Sequence, residues 1–447
     1  MKFLFTLCLL FCSGSQAALH AQSYNNYQKE YTLKSVTEAK TESQRTHRMI
    51  ICDHQPSGLY IRKGETLTFT VRDLQADYRL EAMIGFKPTW GSHNTNQVAV
   101  LQNGTNTVLA NQEGVLFFTF VKSSGYDFNP TYVKVSVKGG KAFPLFYVNR
   151  SNLANWQNDL RTMTDAPFVQ LVSDLALVTI PYQAYMKNPA QNLYSTFKAM
   201  HQVIDGEDDL AGFDNSSTEN IRTNNRVHYL VDVFATEEDR KRYYMYATGY
   251  LVGIKDNNFQ ELTDPKLLRE GWGIWHETGH TQQQRSWTWG SITEISVNPF
   301  SLYVQQKFQK PSRLSLVESA EHLTPMERAK AYLALPEKDF MVNDPTHYNV
   351  LFTKLVMFHQ LQKAYGWDVM RKLYQYFRKT PFDYSAPGLS DQQKADRFMY
   401  AMCVVTENNL LPFFRKWGFK TSPELVAKVS QHRFRLPSRD PSLIFQE

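Results

Sequence analysis

The sequence predicts a multidomain protein: an N-terminal β-sandwich-like domain, then an α/β region that passes into a helical one. Three observations carry this. Short alternating apolar runs broken by glycine turns fill residues 58–137, as in small antiparallel sheets. Beyond Pro144, buried-strand runs alternate with longer helical patterns. From about Glu318 onward the periodicity is mostly helical. A chain of 447 residues, 42% hydrophobic and 21% charged, has room for two or three domains and is too apolar to be disordered. The net charge of +6 is spread thinly, with no basic block, so no nucleic-acid partner is expected. After the first dozen residues no apolar run reaches the roughly 18 residues of a membrane span, so no integral membrane segment is expected either.

Lys2, the apolar stretch Phe3–Phe11 and the small residues after it read as a signal peptide over residues 1–21, cleaved after Ala17 or Ala21. The expected location is therefore secreted, periplasmic or cell-surface. Phe11 is a poor residue before a lipidated Cys12, so lipoprotein anchoring is not expected; cell-surface attachment by another route stays open. Cleavage leaves only Cys52 and Cys403, too few for a disulfide framework, and their spacing does not decide whether they pair.

Residues 22–57 form a polar leader or edge element. The accessory domain, 58–143, has strands near Leu59–Ile61, Leu67–Val71, Val98–Leu101, Val115–Val121 and Tyr132–Val137, and holds no set of acid, base or metal residues. Residues 144–317 form the domain with chemistry, with strands at Leu175–Ile180, Val227–Phe234 and Tyr243–Gly253. Residues 318–447 form a helical subdomain, with a helix over Val350–Tyr365 stopped by Gly366. Further helices start at Ser390, boxed with Gln393, and at Ser422-Pro423. Asp205, Glu207, Asp208 and Asp209 read as a solvated acidic turn rather than a calcium loop, since no other part of an EF-hand pattern is present. Ser195 and Lys198 match S-x-x-K by chance, without the partner motifs of an acyl enzyme.

One segment stands apart: Trp272-Gly273-Ile274-Trp275-His276-Glu277-Thr278-Gly279-His280. It contains H-E-x-x-H. Residues four apart on a helix share a face, so His276 and His280 can bind one zinc ion. Glu277 then lies beside the ion, placed to take a proton from a water there. Gly279 is a poor helix former, by about 1 kcal/mol against Ala, which makes sense if something approaches the helix closely.

The third ligand follows by elimination. Ser286 stands where a metzincin has histidine, and Phe300 where a thermolysin-like enzyme has glutamate. Between Thr281 and Val317 the only acidic residue is Glu294, and there is no histidine or cysteine. It opens what reads as a second helix, and two helices joined by a short loop would bring it against the His276/His280 face. Two histidines, a glutamate and a water make the open site of a catalytic zinc.

Trp275-His276-Glu277-x-Gly279-His280-x-x-Gln283, then Glu294-Ile295-Ser296-Val297-Asn298 and Ser301-Leu302-Tyr303-Val304, resembles the enhancin-like zinc metallopeptidases. That family includes viral enhancins and secreted bacterial enzymes that degrade mucins. Supporting matches reach from Gln55–Tyr60 to Trp417-Gly418. The resemblance implies a zincin catalytic domain of gluzincin type, an endopeptidase activity, and a protein or glycoprotein substrate resembling mucins; nothing in the residues themselves shows the glycan preference. Two departures stand out. Met245-Tyr246-Ala247-Thr248-Gly249-Tyr250-Leu251 lacks the histidine and proline that the family often carries there, and Pro299 replaces an aliphatic residue. Tyr246, Gly249, Tyr250, Trp272 and Asn298 are the candidate substrate contacts, with Tyr246, Tyr250 and His359 as candidates to stabilise the oxyanion. Two other readings remain open: a zinc aminopeptidase or protease without glycan preference, and a secreted glycan-binding adhesin that does not turn over.

Overall fold

The computed structural model describes residues 28–446 apart from 87–95, 233–237, 239–240, 242–243, 318–321, 348–349 and 384–387. The expected signal peptide, with Cys12, lies outside the described residues, as does Phe234.

The chain opens with two antiparallel sheets. Their strands are β1 (Gln28–Lys34), β2 (His54–Ile61), β3 (Thr66–Arg72), β4 (Tyr78–Phe86), β5 (Gln97–Leu101), β6 (Gly104–Leu109), β7 (Gly114–Lys122), β8 (Tyr132–Lys138) and β9 (Lys141–Ala142). One sheet runs β1-β8-β3-β6, the other β5-β4-β7-β2-β9. Alternate residues of β3 and β8, such as Leu67, Phe69, Val133 and Val135, share one core with Leu80 and Ala82 of β4 and Leu116 and Phe118 of β7. A sheet with one wet face would alternate buried and exposed. β7 does not: all but its last residue are buried. The reason is a second covered face, through which Met83, Phe86, Val115 and Phe117 enter the core of the next sheet. At this junction Gly114 has φ +152°, and a Cβ on it would lie 2.4 Å from the Gly85 carbonyl carbon, so only glycine lets β4 and β7 bulge past each other.

The second unit is a six-stranded mixed sheet of β10 (Leu145–Tyr147), β11 (Phe168–Val172), β12 (Ala176–Pro181), β13 (Val227–Asp232), β14 (Met245–Thr248) and β15 (Leu251–Lys255), in the order β10-β11-β12-β13-β15-β14. Of the single strand expected over Tyr243–Gly253, Tyr243 lies outside the described residues and the remainder holds a hairpin. Thr248 pairs with Leu251, and Gly249, at φ +57°, turns the chain where a continuous strand would need extended backbone.

Four helices build the site's floor: α1 (Leu193–Leu210), α2 (Trp272–His280), α3 (Thr293–Ser296) and α4 (Asn298–Lys307). The acidic run 205–209 belongs to the last turns of α1 and is no solvated turn. Glu207 and Asp208 are buried there, Asp208 is paired with Arg222, and Asp209 with Arg371. Pro299 sits in the first turn of α4, where its missing N–H costs least, and the helix is interrupted at Val297 just after Glu294. The remainder is helical around Trp287, Phe398 and Trp417. It includes α5 (Leu351–Tyr365), ended by Gly366 at φ +76°, and α6 (Asp391–Thr406), started by a reciprocal Ser390–Gln393 capping box.

Candidate metal centre

α2 carries His276, Glu277 and His280. Its apolar side anchors it: Trp275 is buried and donates its indole N–H to the Leu268 carbonyl at 2.8 Å, and Thr278 shares a 2.9 Å hydrogen bond with the Tyr229 hydroxyl. Gly279 faces α4. A Cβ there would stand 2.9 Å from Val297 Cγ2 and 3.2 Å from Phe300 Cβ, so the glycine is what lets the Glu294 segment press against the histidine helix.

The result is a tight triangle. His276 Nε2 lies 2.9 Å from Glu294 Oε2, His280 Nε2 lies 3.5 Å from the same oxygen, and the two Nε2 atoms are 3.2 Å apart. A tetrahedral ion with bonds of about 2.0–2.1 Å has edges of about 3.3 Å. The backing of each imidazole decides which nitrogen faces inward. Asn298 Nδ2 donates to the Glu294 carbonyl, so its Oδ1 accepts from His276 Nδ1 at 2.8 Å. Gln283 Nε2 donates to the Thr293 carbonyl and Ser296 Oγ, so its Oε1 accepts from His280 Nδ1 at 2.7 Å. With both Nδ1 atoms protonated, two bare imidazole nitrogens and a carboxylate oxygen point at one place. Three acceptors that close repel one another unless a cation or a proton sits among them. The donor set therefore fits a metal ion.

Electrostatics agree with that arrangement. With a proton in place of an ion, the hydrogen bonds joining Glu294 to His276 and His280 hold its carboxyl far below the ordinary carboxylate range. Burial works to lower the His280 imidazole, but the Glu294 bond and the nearby carboxylates raise it overall, so protons and metal compete for the same atoms. Burial raises Glu277 above the usual range against the pull of both imidazoles. Its Oε2 is 4.0 Å from His280 Nε2, beside the triangle and not in it. Glu294 is the exposed corner, with 61% of its side chain open to solvent, against 14% and 9% for the two histidines.

Each expected substrate contact has a place of its own in the structure. Asn298 is fully buried and positions His276. Tyr246 is buried, with its hydroxyl donated to Asp232 at 2.6 Å. Gly249 forms the β14–β15 turn, with open space where a Cβ would be. Tyr250 packs edge-on against His54 at 4.5 Å. Trp272 lies against Phe352 and under the Arg313 guanidinium, bridging the two cores. His359 borders a separate cavity beside Gln305 and Trp367. The motif alone gives Gln283 no role, and the structure assigns it one, holding His280. Its signal was spacing: one carboxamide three residues after a ligand, and another, Asn298, four after Glu294.

A family model described as Peptidase M60, enhancin and enhancin-like matches residues 139–418. The chain belongs to this enhancin-like family. A conserved Bacillus anthracis protein described as functionally unknown superposes with a TM-score of 0.78 at 26% identity, over 93% of this chain and 81% of that one. The M60 catalytic domain of Clostridium perfringens ZmpC, solved with the sialyl T antigen, superposes at 0.71 with 18% identity, over 93% and 81%. Among curated proteins, a TRPM8 channel-associated factor homolog of Xenopus laevis is 24% identical over 326 residues, 71% of this chain and 32% of its own length. The chain spans about a third of the length of the curated relatives it matches. The M60 module thus has the mixed sheets and helices of metallopeptidase catalytic domains.

Proposed function

We propose that this M60 protein is an exported zinc-dependent endopeptidase that cuts mucin-type O-glycosylated proteins. One observation carries the reading: three metal-ligating atoms converge within 2.9–3.5 Å, with a partly buried carboxyl beside them. His276, His280 and Glu294 would hold the zinc, which when bound polarises a carbonyl and brings the pKa of water toward about 7. Glu277 accepts the proton of the attacking water and delivers it to the leaving amine. Asn298 and Gln283 keep both imidazoles aimed. β14 ends its sheet and packs against α2, so an extended peptide laid along its outer edge would pass the metal. The glycan-bound relative favours a glycoprotein substrate. The two N-terminal sheets we read as a β-sandwich that supports the cleft, because their outer face is built into the catalytic core.

Purified protein should carry zinc at the triangle and release new fragments from an O-glycosylated mucin peptide but not from its deglycosylated counterpart. Equal cutting of both removes the glycan preference and leaves a plain zinc peptidase. Binding without any fragments, from zinc-loaded protein, favours the adhesin reading.

A further inference from the structure

A second cluster of ligating side chains lies where the N-terminal unit meets the six-stranded sheet. We propose that Cys52, His54 and His228 form an enclosed three-ligand metal site, distinct from the His276 triangle, that takes one zinc-like ion with a water as its fourth ligand and fastens the N-terminal segment to β13. One ligand atom from each of the three residues lies within 4.8 Å of the other two. Tetrahedral bonds of about 2.0–2.1 Å to nitrogen and 2.3 Å to sulfur need edges of about 3.3–3.6 Å, so about an ångström of side-chain rotation closes the set. A thiolate with two imidazoles suits zinc and disfavours magnesium or calcium, which prefer oxygen.

The surroundings are those of an enclosed site. His228 and Cys52 are buried at 0% and 3% exposure. Phe86 and Phe117 each lie 5.6 Å from the His228 ring, and Tyr250 covers His54. The His228 imidazole is aimed from behind by a hydrogen bond, as ligating histidines usually are, and His54 has a carboxylate near its far nitrogen. His228 Nε2 is bonded to Thr179 Oγ1 at 3.1 Å, so Nδ1 is the nitrogen it would offer. Asp53 Oδ1 stands 3.7 Å from His54 Nε2, and His54 Nδ1 is buried with no hydrogen-bond partner among the described residues. Cys52, His228 and Tyr250, though not His54, border an adjoining cavity of about 10 Å³, room for one water. Arg48 and Arg226 line it too, but their Nε atoms are committed to the Thr281 and Ser173 carbonyls. Because Cys52 and His54 flank the entry to β2 while His228 lies on β13, an ion here would join the two units.

Cobalt(II) separates the two sites, because only this one contains sulfur. The full chain loaded with cobalt should bind two ions and show a near-ultraviolet thiolate-to-cobalt absorption. Cys52→Ser should lose one ion and the whole band. Glu294→Ala should lose one ion and keep the band, and Cys403→Ser should change neither. One ion with the band present would support this site and count against the His276 triangle. Wild-type protein with no thiolate band overturns the proposal however the variants fold. So does a band that survives Cys52→Ser or disappears with Cys403→Ser.

Discussion

The two histidine clusters are built from similar parts and differ in what surrounds them. At His276 and His280, carboxamides back the rings and the third corner, Glu294, stands open to solvent. At His54 and His228, aromatic rings enclose the imidazoles and the third corner is a buried cysteine. An open position lets substrate reach an ion, whereas enclosure leaves it only a holding role. The difference teaches that the ligand types set which metal can bind, while exposure at the third corner separates chemistry from fastening.

The largest expected effect tests the closed junction. A chain beginning at Pro144 would bare Phe168, now packed on Tyr60 and Phe143, and His228 of β13, now packed on Phe86 and Phe117. It would also lose the contacts of Thr46, His47 and Arg48 with residues 281–285 behind α2. It should aggregate on expression; a soluble, active truncation would break the idea that the junction is structural. At the open site, Glu277→Gln should cut hydrolysis by about 10²–10⁴-fold with zinc retained, and zinc-loaded variant protein with normal turnover would remove Glu277 from the mechanism. One step out, Gln283→Ala and Asn298→Ala should each weaken metal binding about 10–100-fold, read by competition with a chelator, while leaving any Cys52-dependent cobalt band untouched. Gly279→Ala forces a methyl onto Val297 and Phe300. Overpacking of about 1–3 kcal/mol should outweigh the roughly 1 kcal/mol gain in helix propensity, which thermal unfolding of metal-free protein would register as a lower Tm.

The smallest effect concerns a buried acid that neither cluster uses. Glu207 is fully buried, neither carboxyl oxygen has a hydrogen-bond partner among the described residues, and burial pushes its pKa well above the ordinary value. A raised folded-state pKa contributes stability below the unfolded value, about 4.3 for a glutamate, and loses it as pH rises through the folded one. Glu207→Gln should therefore stabilise the protein relative to wild type at neutral and alkaline pH. That advantage should shrink as pH falls toward 4. A Tm difference independent of pH would show that Glu207 does not titrate in this way.

Short-range pattern encodes the parts of this protein that depend on near neighbours in the chain. Helical periodicity put His276 and His280 on one face, the lack of any other acid nearby pointed to Glu294, and Gly366, Ser390 and Gln393 marked helix ends that the backbone adopts. Each of these depends on neighbours within a few turns, where spacing in sequence is spacing in space. The tertiary structure alone decided the rest. Asn298 lies on the right helix, but only the packing of α4 against α2 turns its carboxamide to His276. The strand expected over Tyr243–Gly253 folds back because Thr248 and Leu251 find each other across Gly249. Cys52, His54 and His228 meet because the sheet that holds β2 packs on the sheet that holds β13. No local period records that contact, since it is fixed by which apolar faces remain to be covered once each sheet has formed.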